Sequence, residues 1–457
     1  MNRLTYKLLK GYSGLSYWLK LHLTPVGAFL LVSLMISAML GMDTSRTMAY
    51  QAFTFILSLI PIALASLPFF KGRFSIKREL PLMATAGKTI SYRLTLKNGS
   101  SRPRKGLTVM ETIADPRPSI ELFEENISSM PPRSWLKKIV FGRGYFSYWN
   151  RLLGARMMAR PEHTPFGTIP GNGEATTLMR LTPLRRGYLH FTGARIAGTD
   201  PFGLFRALIT AEGKDSLLVL PKRYPLPEIS LEGKRQYHQG GISLASKVGD
   251  ADEFMGLRDY RPGDPLRTIH WKSWAKSGRP VVKEYEAEFF SRHALILDTF
   301  SDSFAAASHD EIFEEAVSVA ASLASAIATG ESLLDLIFVR DEAHCFTMGR
   351  SLGTPAMMLE TLACAAPCRD RPFEMLASFT EARGAMMSSA ICILLKWDDG
   401  RREMVRKLKL LGIPLMVFII VQGDGPPEDL PPGPMKDSPD KFHILQAGKI
   451  KEGLSRI

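Results

Sequence analysis

The stretch that decides the architecture of this 457-residue chain spans residues 252–272 and reads DEFMGLRDYRPGDPLRTIHWK. It combines alternating charges, a Pro-Gly-Asp turn and a Trp, and a second Trp follows at position 274. A solvated loop does not need two Trp, and a core strand does not carry this many charges. The composition therefore predicts a folded platform of ion pairs and aromatic rings, which extends to residue 288 and precedes the last domain.

Two interpretations of this platform stay open. It is either a catalytic or docking surface, in which Asp264 and His270 form an acid–base pair, or a structural junction with Trp271 and Trp274 packed beneath a charge network. No nucleophile, metal set or phosphate loop accompanies these residues in the sequence, which favours the structural junction over catalysis. Docking of a partner is compatible with a junction. The candidate docking or structural residues are Glu253, Arg258, Tyr260, Gly263, Asp264, Arg267, Trp271 and Lys272.

Two uncharged apolar runs lie near the N-terminus, over residues 25–42 and 50–70. A membrane-spanning helix needs about 20 apolar residues, so residues 1–71 are predicted to form an anchor with two transmembrane helices. A cleaved signal peptide and a buried helical hairpin are the alternatives. Basic residues flank both runs, which places the N-terminus and everything after residue 71 in the cytoplasm. They are Arg3, Lys7, Lys10, Lys20, Lys71, Arg73, Lys77 and Arg78.

Residues 72–228 carry the alternating pattern of half-buried strands, clearest over residues 90–96, with turn signals between the runs. This pattern predicts a small β-sandwich. An insertion over about residues 120–170 interrupts it: residues 133–160 hold seven Lys or Arg and no acid, interleaved with aromatic residues. Such a segment fits a membrane interface, which we prefer to a nucleic-acid backbone. An amphipathic insertion packed on the sandwich stays equally open.

Residues 229–290 form the signature and junction segment, and the pattern changes again after His293. From there, strands alternate with helices to the end of the chain. This order predicts a doubly wound, mainly parallel α/β domain over residues 291–457. The expected fold class is therefore multidomain, with a membrane anchor, a β-sandwich-like domain and a C-terminal α/β domain.

Several separated motifs resemble the signature of the domain of unknown function 58 family. They are Glu253-Phe254, Leu257-Arg258, Tyr260, Gly263-Asp264, Arg267, Ile269, Trp271, Ala275 and Val282-Lys283-Glu284, with Arg185-Arg186-Gly187-Tyr188 and the run Asp200 to Phe205 upstream. The resemblance implies two N-terminal spans, a β-domain and a C-terminal von Willebrand factor A-like domain, in a multi-pass protein of the bacterial inner membrane. It also implies a chaperone-like partnership with MoxR-type AAA+ ATPases in the assembly or remodelling of other protein complexes, and no catalytic activity.

A von Willebrand factor A-like domain implies a divalent cation at the carboxyl ends of its strands, held by oxygen ligands that suit Mg²⁺. The chain offers Asp298 at the first position, Thr354 from a later loop and Asp398 as the distal acid. Phe300 and Asp302 stand where two Ser ligands are usual, so Ser301 and Ser303 would serve only with a one-residue bulge. The alternative is that Asp298 caps the following turn or helix.

Other features exclude several classes of chemistry. Gly87-Lys88-Thr89 has the end of a phosphate-binding loop, but Leu82 stands where that loop requires Gly, so we expect no ATP hydrolysis. The net charge of +13 is concentrated beside the apolar runs, where anionic lipid explains it, and nucleic-acid binding rests on charge alone. We therefore expect a non-enzymatic adaptor. A divalent-cation-dependent protein-binding module and a cell-envelope enzyme are the alternatives.

Overall fold

The structure is a computed structural model that describes residues 2–40, 47–121, 123–124, 143–226, 237–238, 253–286, 289–300, 307–327, 332–349, 352–423 and 430–455. The chain divides into two compact units, one of residues 1–222 with 304–310 and one of residues 223–303 with 311–457. The structure is thus multidomain, with both helices and sheets. Most of the predicted junction over 229–252 lies outside the described residues.

Three helices begin the first unit: α1 (Asn2–His22), α2 (Pro25–Leu40) and α3 (Thr47–Ser66). Within the described residues, the stretch Met48–Phe69 is long and apolar enough to cross a membrane, with a mean hydropathy of 2.1 and only 6% of it buried. Helix α2 is apolar but has 16 described residues, about 24 Å at 1.5 Å per residue. Helix α1 was not predicted, because its apolar positions are spaced among lysines and form no continuous run.

Two sheets follow in the first unit. Their strands are β1 (Phe74–Glu79), β2 (Met83–Thr85), β3 (Ile90–Asn98), β4 (Leu107–Ile113), β5 (Ala159–Pro161), β6 (Thr164–Phe166), β7 (Glu174–Pro183), β8 (Gly187–Thr199) and β9 (Arg206–Leu220), and α4 (Arg143–Arg156) lies between β4 and β5. One sheet has the order β1-β3-β7-β5 and the other the order β2-β9-β8-β4-β6. Side chains of both sheets share one buried apolar cluster.

The alternation predicted over residues 90–96 is confirmed in β3, where Tyr92, Leu94 and Leu96 are buried and the residues between them are more exposed. Strand β9 begins at Arg206, ten residues before Ser216, where the residue pattern first predicts a strand. Its first half alternates less regularly, because small and polar residues occupy it. The period-2 pattern therefore located the centre of the sandwich better than the ends of its strands.

The second unit holds β10 (Tyr237–His238), β11 (Glu253–Asp259), α5 (Trp271–Ser277), β12 (Val281–Glu286), β13 (Phe289–Leu297), α6 (Ala307–Ala326), β14 (Ser332–Val339), β15 (Ala343–Met348), α7 (Pro355–Cys364), α8 (Glu374–Arg383), β16 (Ser389–Leu394), α9 (Asp399–Leu410), β17 (Leu415–Val421), β18 (Phe442–Gln446) and α10 (Ile450–Leu454). The main sheet has the order β15-β14-β13-β16-β17-β18. Strands β14, β13, β16, β17 and β18 are parallel, and β15 is an antiparallel edge strand.

The alternation of strands and helices predicted after His293 is thus confirmed. The parallel strands are almost continuously apolar because both of their faces are covered. Every residue of β16 is buried, and so are six of the seven residues of β17. Helix α8 was not predicted, because its sequence mixes polar and apolar residues without a clear period.

Candidate functional site

The segment singled out from the sequence forms an antiparallel ribbon of β11 and β12, paired from Asp259 opposite Val281 to Glu253 opposite Glu286. Residues 260–280 form the tip of this ribbon. The tip folds back onto β12, because the His270 N–H donates to the Val281 carbonyl at 2.8 Å and Ile269 forms a bridge with Val282. Both apolar side chains are buried, so the tip is an ordered structure and not an open loop.

A β-turn begins the tip. The Asp264 N–H donates to the Arg261 carbonyl at 3.0 Å, with Pro262 and Gly263 as the central residues. Gly263 has φ = +107°, a conformation that side chains with a Cβ rarely adopt. Proline in the second and glycine in the third position are the residues that a type II turn favours. The Pro-Gly-Asp run is therefore explained by backbone geometry.

The carboxylate of Asp264 orders the tip further. It accepts two hydrogen bonds from Arg258, from Nη1 at 2.7 Å and from Nη2 at 2.8 Å, and a third from the backbone N–H of Arg261 at 2.8 Å. The hydrogen bond from Arg258, followed by that from the Arg261 backbone, lowers the pKa of Asp264 to about 2. At neutral pH this carboxylate is ionised and engaged, which suits a structural ion pair better than a general base.

His270 has a different partner. Its Nδ1 lies 2.7 Å from the hydroxyl of Ser273 in the first turn of α5. The structure therefore gives Asp264 and His270 separate hydrogen-bond partners in the described part of the ribbon, and the hypothetical acid–base pair is not among them. Tyr260, another candidate, is tied to the ribbon by its backbone N–H, which donates to the Pro280 carbonyl at 2.9 Å.

The two tryptophans of the tip stack on one another, with ring centroids 5.3 Å apart. Trp271 is 63% exposed and Leu266 69% exposed, so Trp271 does not lie beneath the ion pairs as expected. Arg267 and Lys272 are exposed as well, while the side chain of Glu253 lies outside the described part. Residues 260–280 hold five Lys or Arg against one Asp. The tip is therefore basic and displays apolar side chains to solvent.

A second group of predicted residues lies at the carboxyl ends of the parallel strands in the main sheet. Asp298 follows β13 and is fully buried. Its carboxylate accepts hydrogen bonds from the backbone N–H groups of Phe300 and Leu395, both at 3.0 Å. Because β13 and β16 are parallel neighbours, their carboxyl ends lie side by side. Asp298 therefore ties the two strand ends together.

Arg401 occupies the space between the predicted metal ligands. Its Nε donates to Asp298 at 2.6 Å and its Nη1 to Asp398 at 2.5 Å, and its guanidinium lies 4.5 Å from the centre of the Phe373 ring. Asp398 also caps α9, since its carboxylate accepts from the Arg401 backbone N–H at 3.0 Å. The positive charge between the two carboxylates is thus supplied by a side chain.

The structure does not bring Thr354 to this group. Strand β15 returns antiparallel along β14 and ends with Met348 opposite Leu334, near the amino end of β14. Gly353 stays close to that end, because the Gly349 N–H donates to its carbonyl, and Thr354 caps α7 by accepting from the Met357 N–H. Thr354 thus lies toward the amino ends of the parallel strands, whereas Asp298 lies at their carboxyl ends.

Ser301 and Ser303 lie outside the described residues. Among the residues that are described, no group of three or more His, Cys, Asp or Glu is placed to hold a metal ion. Magnesium binding by Asp298 and Asp398 stays a prediction, and in this geometry it requires displacement of the Arg401 guanidinium.

The turn between β8 and β9 is a structural element that the sequence indicated only as part of a resemblance. The buried carboxylate of Asp200 accepts from the N–H groups of Phe202 and Phe205, which closes the turn. The Leu204 carbonyl accepts from the Thr24 N–H at 3.1 Å, and a Cβ on Gly27 would lie only 2.2 Å from that oxygen. This turn therefore fixes the start of α2 to the sandwich.

Helix α4 shows where part of the basic and aromatic insertion lies. Tyr148, Trp149 and Leu152 are buried against Tyr6 of α1 and Phe123. Arg151 and Arg156 are exposed. Helix α4 of the insertion thus packs on α1, whereas β5 and β6, within the same predicted insertion, pair with β7 and β4 of the sandwich. Residues 125–142, including Arg133, Trp135, Lys137, Lys138 and Phe141, lie outside the described part.

One family model matches residues of both the ribbon and the main sheet. Residues 256–395, less than a third of the chain, match the family model described as "Protein of unknown function DUF58". The uncharacterized protein YeaD of Bacillus subtilis (strain 168) is 26% identical over 173 residues, which are 37% of this chain and 41% of that protein. The chain thus matches less than half of the length of this curated relative.

Solved structures resemble the chain only weakly. The CARDB domain of PF1109 from Pyrococcus furiosus has a TM-score of 0.17 and 10% identity, over 32% of this chain and 94% of that one. Salmonella alpha-2-macroglobulin reacted with methylamine has a TM-score of 0.18 and 13% identity, over 36% of this chain and 8% of that one. What the comparisons do show is a DUF58 match that runs from Gly256 in the ribbon to the end of β16. It includes the signature motifs from Leu257 to Glu284 and extends beyond them into the main sheet.

Proposed function

We propose that this chain is a membrane-anchored, non-enzymatic adaptor whose ribbon tip docks a MoxR-type AAA+ ATPase during the assembly or remodelling of protein complexes. One observation carries the proposal. The polar groups that order the tip satisfy one another, as Arg258 and Asp264 do, whereas Trp271 and Leu266 face solvent. A segment built in this way presents a fixed surface to a partner.

The chemistry of the tip selects the kind of partner. Five basic residues against one acid favour an acidic surface, since complementary charge speeds encounter and suppresses wrong partners. An exposed Trp supported by a second ring resembles the aromatic anchors that dominate protein interfaces. The proposed partner surface is therefore an apolar groove with an acidic rim on the ATPase.

The anchor belongs to the same proposal. In it, α2 and α3 both cross the inner membrane, the N-terminus, the sandwich and the α/β unit lie in the cytoplasm, and the α/β unit is von Willebrand factor A-like. Basic residues beside both apolar helices support this orientation. The parallel sheet with one antiparallel edge strand supports the assignment of the α/β unit.

Crosslinking and affinity capture from membranes, with and without ATP, test the proposal. The wild-type chain should recover an AAA+ ATPase, and Trp271→Ala combined with Lys272→Glu should reduce the recovery at least tenfold, because loss of an interface hot spot costs about 2 kcal/mol or more. Leu410→Ala combined with Lys436→Glu is the matched control, since both residues are exposed in the same unit.

The control variant should retain recovery within about twofold, a difference worth only about 0.4 kcal/mol. Failure of the wild-type chain to recover any AAA+ ATPase would sink the adaptor function in this form. Equal losses in the ribbon variant and the control would show that the ribbon tip is not the docking surface.

A further inference from the structure

The first unit contains a cavity of about 590 Å³, within the size range of ligand sites. It is lined by one face of α1, by the segment that follows β4, by α4 and by one side chain of β8. The lining residues that matter below are Tyr17, Lys20, Thr112, Arg117, Trp149 and Arg195. None of them belongs to the ribbon or to the group of Asp298, Asp398 and Arg401.

The charge on the cavity wall is positive. Asp115 and Arg117 neutralise one another through a pair of hydrogen bonds at 2.8 and 2.9 Å, and Arg117 lowers the pKa of that carboxyl. Arg195 bonds only a neutral group among its described contacts, the hydroxyl of Tyr17 at 2.6 Å. Lys20 has no partner within the described part of the chain. Two uncompensated cations therefore line the cavity.

Buried hydrogen-bonding groups also line it. Trp149 is fully buried, and neither its indole N–H nor the hydroxyl of Thr112 has a hydrogen-bond partner among the described residues. An unsatisfied buried polar group costs about 1–3 kcal/mol, so such groups are uncommon unless a further molecule completes them. Both atoms lie behind the cavity surface, so the charged groups that a ligand in the cavity would meet are the side chains of Lys20 and Arg195.

Helix α1 places the cavity relative to a membrane surface. Leu4, Leu8, Leu15 and Trp18 are exposed, and their spacing puts them on one face of the helix. Residues 13, 16, 17 and 20 line the cavity on the other face. A basic helix with one apolar face lies in the plane of a bilayer surface, and α2 begins three residues after α1 ends. In the proposed membrane orientation, the cavity lies at the depth of the lipid headgroups.

We propose that this cavity binds the phosphate headgroup of an anionic glycerophospholipid. In this complex Lys20 and Arg195 neutralise the phosphate, as basic side chains do in charge-assisted hydrogen bonds. The acyl chains extend past α1 into the bilayer. The site goes beyond the adaptor function and does not depend on the ribbon tip or on any protein partner.

The test is calorimetric titration of the full-length protein in neutral detergent with dihexanoyl phosphatidylglycerol. Dihexanoyl phosphatidylcholine tests whether net negative charge is needed, and glycerol 3-phosphate tests whether a free phosphate suffices. Lys20→Gln combined with Arg195→Gln should weaken binding of the anionic lipid at least tenfold. Lys88→Gln combined with Arg180→Gln removes two exposed cations of the same unit away from the cavity lining and should change binding less than twofold.

A second variant keeps every charge. Ser16→Phe adds bulk to the cavity wall and should also weaken binding at least tenfold, which protects the test if the double variant does not fold. Saturable binding of the anionic lipid that both cavity variants lose supports the proposal. Absence of saturable binding to the wild-type protein overturns it, as does equal binding of the zwitterionic lipid or an equal loss in the control variant. Equally tight binding of glycerol 3-phosphate would assign the site to a soluble phosphate and overturn the lipid headgroup as its source.

Discussion

The ribbon tip and the carboxyl ends of the strands in the main sheet each contain an arginine–aspartate ion pair, but in different environments. In each, an arginine lies against an aspartate: Arg258 on Asp264 at 2.7 Å and Arg401 on Asp298 at 2.6 Å. The side chains of the first pair are 33% and 17% exposed, and those of the second 6% and 0%. Breaking a buried pair costs about 3–5 kcal/mol, whereas exposed pairs contribute about 0–1 kcal/mol.

This difference in burial separates the roles of the two regions. The buried pair joins the ends of β13 and β16 to the start of α9, so it holds the α/β unit together. The exposed pair holds the shape of a surface that is already solvated. Similar sequence features, an acid and a base close to a turn, therefore serve stability in one region and display of a surface in the other.

The largest expected effect follows Asp298→Ala. This substitution leaves Arg401 buried with one carboxylate fewer and frees two strand-end N–H groups, so the free energy of unfolding of the α/β unit should fall by about 3–5 kcal/mol. Urea denaturation of the detergent-solubilised protein, followed by hydrogen exchange of peptides from β13 and β16, measures it. Glu403→Ala, which breaks an exposed pair with Arg406 on α9, should cost far less, because solvent screens that pair. Similar losses in both variants would mean that burial does not distinguish the pairs.

A smaller effect is expected for the ribbon turn. Gly263→Ala places a Cβ at φ = +107° and should favour local opening of residues 256–286 by about 1–2 kcal/mol, seen as faster hydrogen exchange in that segment alone. Gly256→Ala is the control, because Gly256 lies in β11 and a Cβ there meets no atom within 4 Å. Unchanged exchange in Gly263→Ala would show that the turn does not need glycine.

Addition of magnesium tests whether Arg401 replaces a cation at the carboxyl ends of the strands. If the Arg401 guanidinium takes the place of a cation, millimolar Mg²⁺ should leave the thermal midpoint of the wild-type chain unchanged and raise that of Arg401→Ala. The stabilisation reaches about 1.4 kcal/mol at ten times the dissociation constant. Arg402→Ala, in the same helix turn, controls for loss of charge. A rise in the wild-type midpoint as large as in Arg401→Ala would instead support the metal site predicted from the sequence.

The smallest effect concerns pH. The pKa of Asp264 is lowered from its ordinary value of 3.8 to about 2 in the folded ribbon, so the ion pair stabilises the tip above pH 4. This contribution is lost as the pH falls from about 4 toward 2, because protonation then breaks the pair. Hydrogen exchange of residues 256–286, with times scaled for the intrinsic rate, should show the loss in the wild-type chain. Asp264→Asn, which cannot titrate, should show none of this dependence.

The sequence predicted the features that depend on local pattern. Alternating residues identified β3, apolar runs identified β14, β16 and β17, and two acids that follow neighbouring parallel strands were expected together, as Asp298 and Asp398 are. Thr354 does not lie with these two acids, because β15 returns antiparallel along β14. That pairing depends on contacts between distant residues, which no local sequence pattern encodes. Arg401 was missed because an arginine in the first turn of a basic helix looks like a solvated residue. Its burial follows only from the packing of α9 over the strand ends.

The turn between β8 and β9 has a mechanical consequence. Thr24, at the start of α2, is joined to residues 203 and 204 by hydrogen bonds of its backbone and hydroxyl groups, and Gly27 lies against the Leu204 carbonyl with no side chain between them. No flexible linker separates the apolar helix from the sheet at this point. In the proposed orientation, in which α2 crosses the bilayer, a change in bilayer thickness or tension that tilts α2 would pull directly on the β8–β9 hairpin, the longest in the first unit. The sandwich would then be coupled to the state of the membrane.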